Sequence, residues 1–273
     1  PGKFKGKEKG DLPTIGDWVL ARKPEHLERS KVLIERVLAR RNVLARTEIG
    51  QEKRQQLMAA NIDRVFIVSG LDKEFNPRKI ERYLLLCWSL GLEPVIVLNK
   101  VDLIKNPESA LKKARAIAGE VPILFLSTLT RAGEETFLSH FRAGSTNIFL
   151  GSSGVGKSSI SNMILGHENF LTGPVREKDG KGRHTTSYRE LILTDHNFVI
   201  IDTPGMRGLQ ILRENISLDA FQDILDLTKN CKFSDCAHLS EPDCALKQAE
   251  QKGLISPQRL NQFRILSNPR AIP

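Results

Sequence analysis

The chain has 273 residues, of which 40% are hydrophobic, enough for two packed domains or two with a small appendage. Its longest apolar run, around Tyr83-Leu84-Leu85-Leu86-Cys87-Trp88, is short and flanked by charge, far from the ~20 residues that span a bilayer, and no signal-peptide pattern is seen, so no membrane partner is expected. Lys and Arg number 41 against 32 Asp and Glu, a net charge of +9, and three of the four Cys fall between residues 231 and 244, which is no disulfide framework.

Residues 1–54 hold 14 Lys and Arg against 8 Asp and Glu, so +6 of the +9 sits in the first fifth. Lys3, Lys5, Lys7 and Lys9 alternate with small residues, and Arg36, Arg40, Arg41 and Arg46 follow, a pattern suited to a polyanion such as RNA. Short β-prone pieces, Asp17-Trp18-Val19-Leu20 and Val32-Leu33-Ile34 with Val37-Leu38, are broken by Pro13, Gly16 and Pro24. They predict a small β-barrel of OB type over residues 1–54, with Trp18 in its core. The chain opens at Pro1 rather than Met, which leaves room for more of this domain upstream.

Residues 55–213 alternate strand and helix. Val65-Phe66-Ile67-Val68 is a continuous apolar run of the kind buried in a parallel sheet. Asn76 then Pro77 start a helix that ends at Gly91, with Cys87 in its apolar stripe. Val95-Ile96-Val97-Leu98 is the next strand, residues 107–118 the next helix, and Ile123-Leu124-Phe125-Leu126 a further strand. After residues 148–150 and their helix come Leu191-Ile192-Leu193 and Phe198-Val199-Ile200-Ile201, separated by a hairpin-like turn. The pattern is a doubly wound α/β domain. From residue 214 to 273 the reading is helical, with helices near 218–227 and 257–266, the second capped by Ser256.

The chemistry centres on Gly151-Ser152-Ser153-Gly154-Val155-Gly156-Lys157-Ser158-Ser159, a full P-loop between a strand, Ile148-Phe149-Leu150, and a helix that Gly166 ends. Gly151, Gly154 and Gly156 let consecutive N–H groups turn inward around phosphate oxygens, and the helix adds its positive end. Lys157 reaches the β- and γ-phosphates, and the Ser158 hydroxyl ligates Mg²⁺. Asn99-Lys100-Val101-Asp102 follows a strand directly. A carboxylate at Asp102 accepts from the guanine N1–H and 2-amino group, donors that adenine lacks. Asn99 bonds the base and braces the P-loop, and the Lys100 stem lies across the purine. Ser127-Thr128 stands where a backbone N–H meets the guanine O6. Asp202-Thr203-Pro204-Gly205 places Asp202 to hold Mg²⁺ through water and the Gly205 N–H to sense the γ-phosphate. In the loop Gly180-Lys181-Gly182-Arg183-His184-Thr185-Thr186, Thr186 is the favoured second Mg²⁺ ligand, with Thr185 the alternative. Met206 stands where Ras-type GTPases place the Gln that orients water, so intrinsic hydrolysis should be slow. Cys231-x₄-Cys236-x-His238-x₅-Cys244 supplies three thiolates and an imidazole for one closed, structural zinc site.

These elements match the GTPase set in a permuted order, with the Asn99–Asp102 and Ser127-Thr128 motifs ahead of the P-loop. With the Gly-Arg-His-Thr-Thr loop and the downstream Cys cluster, the chain resembles the RsgA (YjeQ) family of circularly permuted GTPases over nearly its whole length. The resemblance implies an OB domain, a permuted GTPase domain and a zinc domain. It implies a GTP hydrolase that acts in maturation of the small (30S) ribosomal subunit and binds its rRNA, with activity stimulated by the subunit. It also offers His184 as the water-orienting or base group, beside Lys157 at the phosphates. A cytoplasmic monomer using Zn²⁺ and Mg²⁺ is expected. The alternative is an RNA-binding assembly factor that uses GTP as a binding switch with negligible turnover. Thr128 departs from the Ala usual at its place, and because the backbone N–H does the work the departure is mild.

Overall fold

The computed structural model describes residues 12–23, 32–48, 51–73, 75–166, 190–202, 218 and 221–267. Its centre is a six-stranded sheet in the order β7-β6-β5-β8-β10-β9, formed by β5 (Arg64–Gly70), β6 (Glu93–Asn99), β7 (Ile123–Leu126), β8 (Thr146–Leu150), β9 (Glu190–Leu193) and β10 (Val199–Asp202). All pairs are parallel except β10 with β9, which are joined through the turn at Thr194–Phe198 with Asn197 at φ 59°.

The continuous apolar runs make sense because both faces of the sheet are covered, so each parity of residue finds its own core. Val65 and Ile67 of β5, Ile96 and Leu98 of β6, and Ile148 and Leu150 of β8 enter one cluster with α1 (Pro77–Ser89). Phe66, Val68, Val95, Val97 and Phe149 enter the other, with α4 (Lys157–Leu165) and Phe137 of α3 (Glu134–Leu138). In the second cluster Phe66 stacks on Phe141 at 4.4 Å and meets Phe137 edge-on at 5.3 Å, while Phe141 stacks on Phe198 at 4.3 Å.

Helix α1 begins as the sequence predicts. The Asn76 side chain accepts from Arg78 N at 3.0 Å, Pro77 occupies the first turn, and Cys87 is buried. Burial pushes the Cys87 thiol well above its usual range, so it behaves as an apolar core residue. Helix α2 (Glu108–Ala118) flanks β7, and Gly166, at φ 70°, caps α4. The C-terminal helices α5 (Gln222–Thr228), α6 (Ala245–Gln251) and α7 (Pro257–Ser267) pack on the α1 face through Phe221, Ile224, Leu246, Leu260 and Phe263. Arg259 joins α7 to α5: it bonds Asp223 at 2.7 Å and lies 4.9 Å over the Phe221 ring. Ser256 Oγ accepts from Arg259 N at 3.2 Å, as the capping reading requires.

Two antiparallel ladders precede the sheet, β1 (Val19–Arg22) with β2 (Leu33–Val37) and β3 (Val43–Glu48) with β4 (Gln51–Ala60). Among the described residues no backbone ladder joins the two into one barrel. Asp17 is clamped by Arg40, with Nε at 2.7 Å and Nη2 at 2.8 Å from its two oxygens. The sequence reading puts Trp18 in the core; it is 70% exposed instead. Its carbonyl accepts from Leu38 N at 2.8 Å, but the flanking ladder is only half-covered, and among the described residues no second layer receives the ring. Residues 54 and 55 both lie in β4. Leu44, Met58 and Ala59 of the β3–β4 ladder share the α1-side core with the central sheet. No helix among the described residues is long and apolar enough to cross a membrane.

Candidate nucleotide site and metal cluster

Because β5, β6, β7, β8 and β10 run parallel, their carboxyl ends open on one edge. From β5 the chain winds outward through β6 to β7, then returns to β8 on the other side of β5. Ligands in open α/β sheets bind at this kind of reversal, beyond the carboxyl ends of the strands. The P-loop leaves β8 there, Asn99 ends β6 next door but one, Ser127 follows β7, and Asp202 ends β10.

Two glycines of the P-loop are demanded by close approach. A Cβ on Gly151 would collide with the Val68 carbonyl oxygen of β5. Gly156 has φ 101°, and a Cβ there would collide with Asn99 Nδ2. The second collision marks the joint between the two motifs: fully buried Asn99 donates from Nδ2 to Val155 O at 2.9 Å. Asn99 Oδ1 is buried with no protein donor, an acceptor open to a donor on a ligand. Lys157 is buried as well, and its Nζ donates to Gly151 O at 2.8 Å and Ser152 O at 2.7 Å. The ammonium is thus aimed back over the loop at the amino-terminal end of α4, where both the helix dipole and the charge favour an anion. Ser158 and Ser159 lie half-buried in the first turn of α4, and Ser153 and Gly154 are exposed at the loop tip.

The residues expected to read a base come together too. Lys100 takes a left-handed turn, φ 65°, which bends the chain out of β6 into a 3-10 turn, Val101–Leu103, carrying exposed Asp102. Lys100 Nζ lies 2.5 Å from Asp72 Oδ2, in the loop after β5. Ser127, fully buried, donates from Oγ to Asp102 Oδ1 at 2.5 Å and accepts from Thr130 N at 3.1 Å. Its own N–H is engaged by Ala132 O at 2.9 Å. The N–H groups of Thr128 and Leu129 have no such partner among the described residues. Asp202 closes β10 opposite Glu190. His184, Thr185, Thr186, Gly205 and Met206 lie outside the described residues.

The four expected metal ligands also converge. Cys231 follows α5, Cys236 and His238 sit in the connecting loop, and Cys244 immediately precedes α6. Their donor atoms all lie within 4.8 Å of one another. His238 Nδ1 is 3.6 Å from Cys231 Sγ and 3.5 Å from Cys244 Sγ. A tetrahedral zinc, with Zn–S near 2.3 Å and Zn–N near 2.05 Å, requires an S···N separation of about 3.6 Å. The residues therefore fit the ion. None of the thiols is in a disulfide. Burial, and then the adjacent Cys244 and Cys231 thiols, push Cys236 up to about 11, and burial lowers His238. Thiols crowded this way are poor anions alone; a divalent cation at their centre makes the thiolates favourable.

Two residues of these sites carry no signal in the sequence. Asp72 stands in no motif, and only the fold brings it to Lys100. Glu241 stands in the cluster's loop as one more surface carboxylate, and its contacts appear only in three dimensions.

Comparison with known proteins agrees with this geometry. The profile of the RsgA GTPase family matches residues 37–212. A small ribosomal subunit biogenesis GTPase RsgA of Methanosarcina acetivorans is 40% identical over 261 residues, covering 95% of this chain and 70% of the relative. Small ribosomal subunit biogenesis GTPase RsgA 1 of Oceanobacillus iheyensis is 38% identical over 271 residues, covering 96% of this chain and 77% of the relative. Among solved structures, YjeQ from Thermotoga maritima is 29% identical with a TM-score of 0.58, covering 100% of this chain and 89% of its own. YloQ, described as a circularly permuted GTPase, is 25% identical with a TM-score of 0.55, covering 100% of this chain and 86% of its own.

Proposed function

The chain belongs to the RsgA GTPase family, and from that premise we propose that it is a GTP hydrolase that binds the small ribosomal subunit, assists its late maturation and is stimulated by it. The observation that carries the reading is the buried bond from Asn99 to Val155 O, which locks a guanine-reading motif onto a phosphate-binding loop despite their permuted order. The P-loop N–H groups of residues 151–159 and Lys157 take the phosphates. Ser158, Thr186 and water-linked Asp202 take Mg²⁺, and the Gly205 N–H senses the γ-phosphate. Asp102, held by Ser127, takes the guanine edge, Thr128 N–H its O6, and Lys100 covers its face. Zinc is the metal of Cys231, Cys236, His238 and Cys244, in a structural role, since all four positions of a tetrahedron are filled by protein. Residues 1–54 form an OB-type module, the GTPase domain follows to 213, and the zinc domain runs from 214. Exposed Trp18 and the basic excess of the first module suit rRNA. The protein works as a cytoplasmic monomer.

Met206 cannot orient water, so docking on the subunit supplies the activation by placing His184 near the γ-phosphate. Stabilising that arrangement by ~3 kcal/mol raises the rate roughly a hundredfold. Multiple-turnover phosphate release, with and without purified small subunits, tests this. The expected result is slow intrinsic turnover, strong stimulation that fades with salt, and loss of most stimulation in His184→Ala with GTP affinity kept. A His184→Ala protein stimulated like its parent removes His184 from the mechanism, and absence of any stimulation removes the subunit.

A further inference from the structure

The loop that carries Cys236 and His238 has no regular secondary structure, and its backbone donors need acceptors. One side chain supplies them. Glu241 Oε1 accepts from Ala237 N at 2.9 Å, and Glu241 Oε2 accepts from Leu239 N at 2.9 Å and Ser240 N at 3.0 Å. These three N–H groups flank His238 on both sides. His238 itself is held at φ 62°, a left-handed conformation that a residue with a Cβ rarely adopts and that persists only when its surroundings impose it. The carboxylate spans the residue before His238 and the two after it, so it holds the turn that carries the imidazole. With the turn so fixed, Nδ1 stands 3.5 and 3.6 Å from two of the cysteine sulfurs, the spacing of a tetrahedral site.

We propose that Glu241 is the positioning residue of this metal site: a carboxylate that ligates nothing and presets the His238 ligand by clamping the backbone on either side of it. The proposal rests on the metal reading of the cluster. The alternative role for an acidic residue in such a loop is to be a ligand, and the geometry opposes it, because both Glu241 oxygens are already committed to backbone donors. The same commitment explains how a further anion is tolerated. Three thiolates and one divalent ion leave the site with net negative charge, and the N–H dipoles on both Glu241 oxygens offset part of the charge that the carboxylate adds. The other carboxylate of the loop, Asp243, differs in kind: it pairs with the Lys232 ammonium at 3.0 Å on the surface.

The test is metal binding by the full-length chain, read by Co²⁺ absorption and by competition of Zn²⁺ with a chromophoric chelator. The variants are Glu241→Ala, Glu241→Gln and, as the charge control, Asp243→Asn. Removing an outer-shell partner of a metal ligand commonly costs ~10–100-fold in metal affinity. Glu241→Ala should lose affinity in that range and show an altered ligand-field spectrum, because the imidazole no longer sits at its preset place. Glu241→Gln, which keeps one acceptor oxygen and turns a donor toward the other N–H, should fall between it and the parent. Asp243→Asn should match the parent. GTP binding serves as the measure of intact folding elsewhere and should be unchanged throughout. If Glu241→Ala binds Co²⁺ as tightly as the parent and with the same spectrum, the positioning role is wrong. If Asp243→Asn loses as much affinity as Glu241→Gln, net charge and not the clamp is responsible, and the proposal also fails. A parent that takes up no metal overturns the metal reading itself, a different result from either of these.

Discussion

The nucleotide edge and the Cys–His loop are both sites where chemistry-bearing residues converge, yet they are held together by opposite means. At the nucleotide edge the functional groups stand on the ends of buried strands. Asn99, Ser127 and Lys157 are themselves buried, and the phosphate loop rests on Val155, Ile160 and Met163 in the α4-side core. In the Cys–His loop, Lys232, Phe233 and Leu239 are exposed, and only Cys244 among the thiols is buried. One site is built by the hydrophobic core before any ligand arrives. The other is a more exposed loop, and on our proposal a metal and the Glu241 clamp hold it.

The comparison breaks most visibly on metal removal. For structural zinc, binding free energy is folding free energy, roughly 10–16 kcal/mol in isolated fingers. Stripping the ion should therefore cost helicity and protease resistance in the segment from α5 to α6. GTP binding should be little changed, because the P-loop packs on the opposite face of the sheet from this segment. Elemental analysis should first find one zinc per chain. Helicity and proteolysis that do not respond to stripping would mean that packing holds the loop after all.

The converse perturbation is Phe66→Ala. Phe66 is fully buried between Phe141, Phe137 and Phe149, and deleting such a ring costs about 3–5 kcal/mol. Denaturant unfolding should show that loss, and GTP binding should fail at temperatures where the parent still binds. Metal affinity should hold, since Phe66 faces away from the α1-side core where the cluster packs.

How far the chain could be read without its structure follows the same division. Strands β5, β6, β7 and β8 announce themselves as unbroken apolar runs because both of their faces are covered. The P-loop, Asn99–Asp102 and the Cys spacing are legible because each is a local string whose chemistry is fixed by neighbours in sequence. The sequence misplaces Trp18 because burial is a property of the second layer, and a two-stranded ladder does not declare whether one exists. Asp72 meeting Lys100, the Ser127 N–H being taken by Ala132 O, and Glu241 reaching three backbone donors all depend on loop conformation, which no residue pattern encodes.

The most direct measurement is equilibrium binding of GTP, ATP and XTP to the parent and to Asp102→Asn. If the carboxyl edge of the sheet is a guanine site, the parent binds GTP far more tightly than ATP. Losing the charge-assisted pair at Asp102 should then cost about 2–4 kcal/mol, one to three decades of GTP affinity, and shift preference toward XTP. Equal affinity of the parent for ATP and GTP, or an Asp102→Asn protein that still prefers GTP as strongly as the parent, would contradict it.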